Sequence, residues 1–163
     1  MSDSAQGKSH LQVRDVEDSD LEVFFEHQRD HEATRMAAFP ARERDAFMAH
    51  WAEIRADRTV FTQTIVVDGQ VAGNIVCWDQ SGKHEVGYWV GRDFWGRGVA
   101  TEALALFLKK MTLRPLHAYV APHNIGSIRV LEKSGFRRAE AQEIPPSTAY
   151  DDGVGHMVFV LET

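Results

Sequence analysis

Apolar and polar positions follow two rhythms along the chain, and the places where one gives way to the other divide it into elements. From Thr59 to Trp78, TVFTQTIVVDGQVAGNIVCW sets β-branched and aromatic residues on both sides of Asp68-Gly69. That pair tolerates positive φ, so the stretch predicts a hairpin of two strands. Ser81-Gly82 marks another turn and His84–Val90 a further strand, so the second, third and fourth strands form an antiparallel meander. A short first strand is expected at about His10–Val13. Between it and the meander the rhythm is helical. Ser19-Asp20-Leu21-Glu22 has the spacing of a capping box, with Ser19 as cap and Glu22 three residues on. The helix it opens carries Leu21, Phe24 and Phe25 and ends near Asp30. A second helix follows Pro40, with Phe47, Trp51 and Ile54 at helical spacing.

Beyond Val90 the order changes. A helix with the stripe Leu104, Phe107, Leu108 and Met111 is closed by a turn at Pro115. Leu116–Val120 reads as a fifth strand. Pro122-His123-Asn124 opens a fourth helix, and Gly135 stands where a C-terminal cap glycine belongs. Phe136–Glu143 and His156–Leu161 read as the last two strands, joined by a loop with Pro145-Pro146 and Asp152-Gly153. The expected fold is α+β: a mixed, mostly antiparallel seven-stranded sheet with about four helices on both faces, in the order β-α-α-β-β-β-α-β-α-β-β. One domain is expected over residues 10–163, after a small, polar and disordered tail at 1–9.

Composition narrows the function classes. A net charge of −6 argues against a nucleic-acid partner, because phosphate backbones call for a positive field. The single Cys77 excludes an internal disulfide, and there is no CxxC pair. No apolar run is long enough to span a bilayer and no leader pattern opens the chain, so a cytoplasmic setting without membrane contact is expected. His27 and His31, four apart, could share a helix face, but no third ligand follows at useful spacing, so no metal is expected.

The candidate chemistry lies in Val90–Leu104, VGRDFWGRGVATEAL. A nucleotide P-loop matches only Gly91 and Gly96: Arg97 replaces the lysine and Gly98 the hydroxyl that would hold magnesium. A dinucleotide fingerprint fails because Thr101 stands where its third glycine belongs. What remains is an anion site. Gly96 and Gly98 let backbone N–H groups turn to one point, Val99, Ala100 and Thr101 begin the helix whose dipole adds there, and Arg97 adds a charge. That set suits a pyrophosphate without a metal, such as the one in coenzyme A; the alternative is a plain strand-to-helix turn with solvated arginines.

A second stretch, Asn124–Phe136 (NIGSIRVLEKSGF), completes a pattern. Together the two stretches resemble the GNAT superfamily of N-acetyltransferases, with EVGYWVGRDFWGRGVATEAL most like the branch that acetylates N-terminal amines of ribosomal proteins. The family's Q/R-x-x-G-x-G/A loop maps to Trp95, Gly98 and Ala100, with Trp in the first place. Asn124, Ser127 and Gly135-Phe136 match the second motif. The resemblance covers residues 11–162 and implies transfer of an acetyl group from acetyl-CoA, as co-substrate, to a primary amine by direct attack.

The resemblance also implies roles. Acetyl-CoA would lie between the fourth and fifth strands, with the Val90 amide on the thioester carbonyl and Asn124 on the pantetheine arm. Glu85 is the candidate base, against a purely structural anchor on its strand; His84, facing the other way, is second. Ser127, one turn after Asn124, would meet the thiolate, and a plain helix serine is the alternative. The family's acidic Tyr, seven residues after the Asn, is Leu131 here, and Tyr119 is not at that position. Arg92, Arg129 and Lys133 are candidates for the 3′-phosphate, and Phe47, Trp51 and Ile54 for either core or a groove wall. The acceptor is left open among a protein N-terminus, a polyamine, an aminoglycoside and a small metabolite, as is the oligomer, a homodimer included. The rivals are a coenzyme A-binding module without turnover and a nucleotide-phosphate binder.

Overall fold

In a computed structural model, which describes residues 10–38, 40–80, 82–140 and 156–163, the meander forms as its turns require. Strand β1 (Leu11–Arg14) pairs with β2 (Phe61–Val67), β2 with β3 (Gln70–Gln80) and β3 with β4 (Lys83–Val90), all antiparallel. Asp68 and Gly69 take φ of 51° and 80°, the positive angles the hairpin calls for. Helices α1 (Asp20–Arg29), α2 (His31–Ala37) and α3 (Arg44–Ala56) lie in the chain between β1 and β2. After β4 come a 3-10 turn (Arg92–Phe94), α4 (Val99–Lys110), β5 (Leu116–Val120), α5 (Ile125–Lys133), β6 (Arg137–Arg138) and β7 (Met157–Leu161). The seven strands are ordered β1-β2-β3-β4-β5-β7-β6, and only β4 and β5 run parallel.

Two cores hold the sheet. On one face Leu104 and Phe107 of α4 and Leu131 of α5 pack against Ile65, Ile75, Val86, Leu116 and Phe159. On the other, Phe24 and Phe25 of α1 and Phe47 and Trp51 of α3 form an aromatic cluster over Val71 and Val76. Phe47 and Trp51 are therefore core, and neither they nor Ile54 lines the cleft described below. Cys77 is buried, and burial pushes its thiol up to about 11.

Two local expectations are corrected. The capping box does not form: Ser19 has helical angles and makes no side-chain cap bond, while Glu22 pairs with Arg44 of α3. A further helix, α2, follows Asp30, whose extended backbone breaks the axis and whose carboxylate accepts from the Glu32 N–H at 3.1 Å. Its seven residues are too few and too polar for a periodic signal. Of the strand expected at Phe136–Glu143, the described part pairs with β7 at Arg137–Arg138, followed by the Ala139 N–H on the Val158 carbonyl at 2.8 Å, and residues 141–143 lie outside the described residues. The expected tail at 1–9, Ser81, and the loop with Pro145-Pro146 and Asp152-Gly153 lie outside the described residues.

Asp20 takes over the place intended for the cap. It is buried, yet its carboxylate accepts from both Arg14 nitrogens (2.7 and 3.0 Å), the Glu17 N–H (2.8 Å) and the Thr64 hydroxyl (2.7 Å). Burial alone would raise its pKa, but these donors outweigh it and hold the carboxyl below its ordinary value. A group depressed in this way stabilises the fold above the unfolded value of about 3.9 and loses that contribution as pH falls through the folded value. Asp20→Asn is expected to cost about 2–3 kcal/mol near neutrality. Urea unfolding of both proteins from about pH 7 down to about pH 2 checks this. The gap should narrow with acid, and a constant gap would remove Asp20 from the acid response.

Candidate functional site

Strands β4 and β5 pair at His84–Leu116 and Glu85–His117 and then part. The two-residue period of a strand decides what the parting presents. The Gly91 N–H is bonded to the Ala72 carbonyl of β3 at 2.8 Å. Counting back in twos, Trp89 and Gly87 turn their backbone groups to β3, while Val90 and Tyr88 turn theirs toward β5, into the opening. Gly91 is needed here because α1 comes close: an added Cβ would stand 2.5 Å from His27 Nε2.

The opening is part of a cleft of about 760 Å³. One bank is Tyr88, Trp89, Val90 and the turn Phe94–Gly96 and Gly98–Thr101; the other is His123–Ser127 with Arg129, Val130 and Lys133. Ala33, Met36 and Ala37 of α2 also line it. Two contacts hold α2 there, Arg92 to Asp30 at 3.4 Å and His123 Nε2 to the Arg35 carbonyl at 2.8 Å.

At the head of α4, Gly96 and Gly98 have φ of 74° and 73°, the left-handed region that other residues enter only with strain. Gly98 is the N-cap and no side chain caps the first turn. The N–H groups of Val99, Ala100 and Thr101 therefore face outward with the helix dipole behind them, an arrangement that takes an anion. Arg97 is exposed and sits over the Phe94 ring at 5.3 Å from its centre. The Trp95 indole N–H donates to the Val90 carbonyl at 2.9 Å.

Across the cleft Asn124 caps α5, its Oδ1 accepting from the Ser127 N–H at 3.2 Å. That leaves the Asn124 amide nitrogen to donate elsewhere. The Ser127 hydroxyl lies 2.7 Å from the Tyr88 hydroxyl. The chain leaves α5 through a Schellman turn: Phe136 N–H bonds Leu131 O at 3.0 Å and Gly135 N–H bonds Glu132 O at 3.1 Å.

Val90, Trp95, Gly96, Gly98, Ala100, Thr101, Asn124 and Ser127 are thus brought to one cleft by the fold, whereas Arg97 does not line it and Val99, though it does, turns its side chain into the core. Glu85 stands apart. It is buried at the last paired rung of β4 and β5, opposite His117, and does not line the cleft. It lies five residues from Val90, roughly 16 Å along an extended strand, so the two cannot serve one carbonyl. It shares its face with Gly87 and Trp89, and it raises the pKa of Tyr119 beyond what burial already does. His84 points the other way. Arg92 is engaged by Asp30, whereas Arg129 and Lys133 line the cleft. Sequence reasoning missed Tyr88, Trp89, Met36 and His123; the period of two through Tyr88 and Val90 was the available signal for the first. Among the described residues no group of His, Cys, Asp or Glu is placed to hold a metal ion, and no helix is long and apolar enough to cross a membrane.

Comparison with known proteins adds the family. Residues 10–137 match the family described as acetyltransferase (GNAT) domain. A probable N-acetyltransferase, YjcK of Bacillus subtilis, is 39% identical over 32% of this chain and 32% of its own length. The match therefore spans about a third of that curated relative. Mycobacterium smegmatis RimJ, solved with CoA-disulfide, superposes with a TM-score of 0.71 at 20% identity, covering 94% of this chain and 82% of that one. The aminoglycoside acetyltransferase AAC(6')-Ib, solved with coenzyme A, gives 0.74 at 14% identity over 94% and 95%. At these identities the likeness is one of fold, and it reaches more than one branch of the family rather than the ribosomal one in particular.

Two glycines separate backbone strain from crowding. Nothing lies within 4 Å of a Cβ added at Gly98 or at Gly126. Gly98→Ala is nonetheless expected to lower stability by about 1–2 kcal/mol, the cost of a left-handed angle. Gly126→Ala, inside α5, is expected to raise it by up to about 1 kcal/mol. Denaturant unfolding of both variants decides; a neutral Gly98→Ala would show that the turn does not need its positive φ.

Proposed function

Because the chain belongs to the GNAT acetyltransferase family, we propose that it transfers an acetyl group from acetyl-CoA to a primary amine. The observation that carries this reading is the parting of β4 and β5, which turns the backbone groups of Tyr88 and Val90 into the cleft. An extended pantetheine arm fits there as an added strand. The turn from Gly96 to Thr101 would take the pyrophosphate on its N–H groups, with Trp95 at its entrance and Arg97 as an outer charge. Asn124 would donate its amide to the arm, and Arg129 and Lys133 would meet the 3′-phosphate.

The separation of Glu85 from Val90 orders the chemistry. The Tyr88 amide also faces the opening and lies roughly 10 Å from Glu85 along the strand; it would be the donor that brings the thioester nearer that carboxylate, with more than one water between them. The Val90 amide then holds the arm rather than the carbonyl. Glu85 would remove the proton from an amine entering along the face it shares with Trp89. Ser127, on the opposite face, would meet the departing thiolate. Ala33, Met36 and Ala37 give the acceptor side an apolar wall suited to a peptide N-terminus, as in the ribosomal branch, or to a small-molecule amine. Binding without turnover is the second reading, favoured by one observation: Leu131, at the place of the family's acid, is fully buried in the core.

Acetyl-CoA or coenzyme A is expected to raise the melting temperature by mass action, and ATP with magnesium is not. A shift with ATP alone would end the reading. With a good amine, Glu85→Gln should leave acetyl-CoA affinity unchanged and slow turnover by roughly 10²–10⁴-fold. The loss should shrink as pH rises, because more amine arrives neutral. A pH–rate profile parallel to wild type would assign Glu85 to structure, and absence of turnover in both proteins despite tight binding would favour the second reading.

A further inference from the structure

We propose that Tyr88 is a positioning residue for the leaving group: its hydroxyl orients that of Ser127, so that Ser127 donates a hydrogen bond to the coenzyme A thiolate as it departs. The inference rests on the acetyl-CoA reading and adds to it a residue that neither glycine loop nor second motif contains.

The two hydroxyls come from opposite banks of the cleft, Tyr88 from β4 and Ser127 from the first turn of α5, and both residues line it. Tyr88 Oη is 2.7 Å from Ser127 Oγ and 3.3 Å from the Ser127 carbonyl. A helix serine commonly bonds the carbonyl one turn back, as Ser134, the residue that caps the end of α5, does in reaching Val130 O at 2.8 Å. Ser127 instead reaches across the cleft. Tyr88 O–H donates toward Ser127, its one hydrogen lying between the carbonyl and the nearer Oγ; given to Oγ, it leaves the serine hydrogen to point at a third atom.

Tyr88 itself does not give up its proton. Burial pushes its hydroxyl up to about 12, whereas an ordinary thiol titrates near 8.5. Transfer from tyrosine to thiolate would run uphill, so the pair acts by hydrogen bonding. In the step, a bond forms between amine nitrogen and acyl carbon, the carbon–sulfur bond breaks, and its electron pair leaves on sulfur. The proton lost by the nitrogen goes to the base and then to solvent, and solvent returns one to the thiolate. Both hydroxyls keep their own protons. No acid stands in for Leu131: the pair from β4 and α5 steadies the thiolate by hydrogen bonding until solvent protonates it.

The test needs no acceptor and no turnover. Dissociation constants of coenzyme A and of desulfo-coenzyme A, which lacks the sulfur, are measured by calorimetry from about pH 6.5 to about pH 9.5, either side of the free thiol's value. The proteins are wild type, Tyr88→Phe, Ser127→Ala, Ser127→Thr and the double variant Tyr88→Phe/Ser127→Ala. In wild type, coenzyme A should gain on desulfo-coenzyme A as pH rises, by about tenfold for each unit by which the bound thiol's pKa is lowered. Tyr88→Phe should lose most of that gain while binding desulfo-coenzyme A normally, which shows that the cleft is intact. Ser127→Thr should keep it, and the double variant should match Ser127→Ala, since Tyr88 acts through Ser127. His123, Arg129 and Lys133, which also line the cleft and could lower the thiol's pKa, are unchanged in every variant. A Tyr88→Phe protein that keeps the gain, or a double variant whose losses simply add, would overturn the positioning role and leave the coenzyme reading standing. Wild type that binds neither compound would overturn both.

Discussion

A sheet whose two middle strands stop pairing halfway is the constraint on which the rest of this structure depends. Backbone N–H and C=O groups inside a fold need partners, and β4 and β5 exchange theirs over only two rungs, at His84–Leu116 and Glu85–His117. The parting persists because both strands are fixed by other means. Val86 and Leu116 are anchored in one core with α4 and α5, and β3 and β7 pair with the outer sides of β4 and β5. The result is a wedge whose facing main-chain groups no longer pair strand to strand between anchored walls, an opening suited to an extended, polar partner.

Each wall ends in a helix terminus, and the two are finished differently. The first turn of α4 has a glycine as its cap and keeps its N–H groups outward, whereas α5 is capped by Asn124. One terminus is left open for an anion; the other is satisfied internally and presents side chains, the asparagine amide and the serine hydroxyl. The division matches the two ends of a molecule with a charged head and a neutral, hydrogen-bonding arm.

Much of this was legible in the sequence. Asp68-Gly69 and the β-branched runs around it specify the hairpin through local angles alone, and the α4 stripe and Gly135 specify their helix and its end by period and by cap. The glycine turn could be read as an anion site because backbone exposure is encoded in the absence of side chains. What could not be read was set by contacts distant in the chain. Ser19 looks like a cap, but Asp20 is drawn in by Arg14 and by Thr64, forty-four positions on. Helix α2 is short and polar and exists because Asp30 breaks one helix and caps another. Glu85 and Val90 look adjacent on a line of letters; only the point where the strands part shows that they stand at opposite ends of the opening. Tyr88 carries no local sign of its partner, which arrives from a helix thirty-nine residues away.

The Trp95 indole, resting on the Val90 carbonyl at 2.9 Å, changes how affinity in this cleft is to be counted. A bare carbonyl would reward an arriving N–H group with a whole new hydrogen bond. This one already has a donor, so a ligand there either adds a bond on the oxygen's second lone pair or trades places with the indole, and in the exchange only the difference between the two bonds enters the free energy. That difference is a fraction of the roughly 1 kcal/mol a single net hydrogen bond contributes. Where the indole is the one to move, selectivity would come less from the bond gained than from where the displaced ring can go, and the fit of the vacating tryptophan would count in the balance.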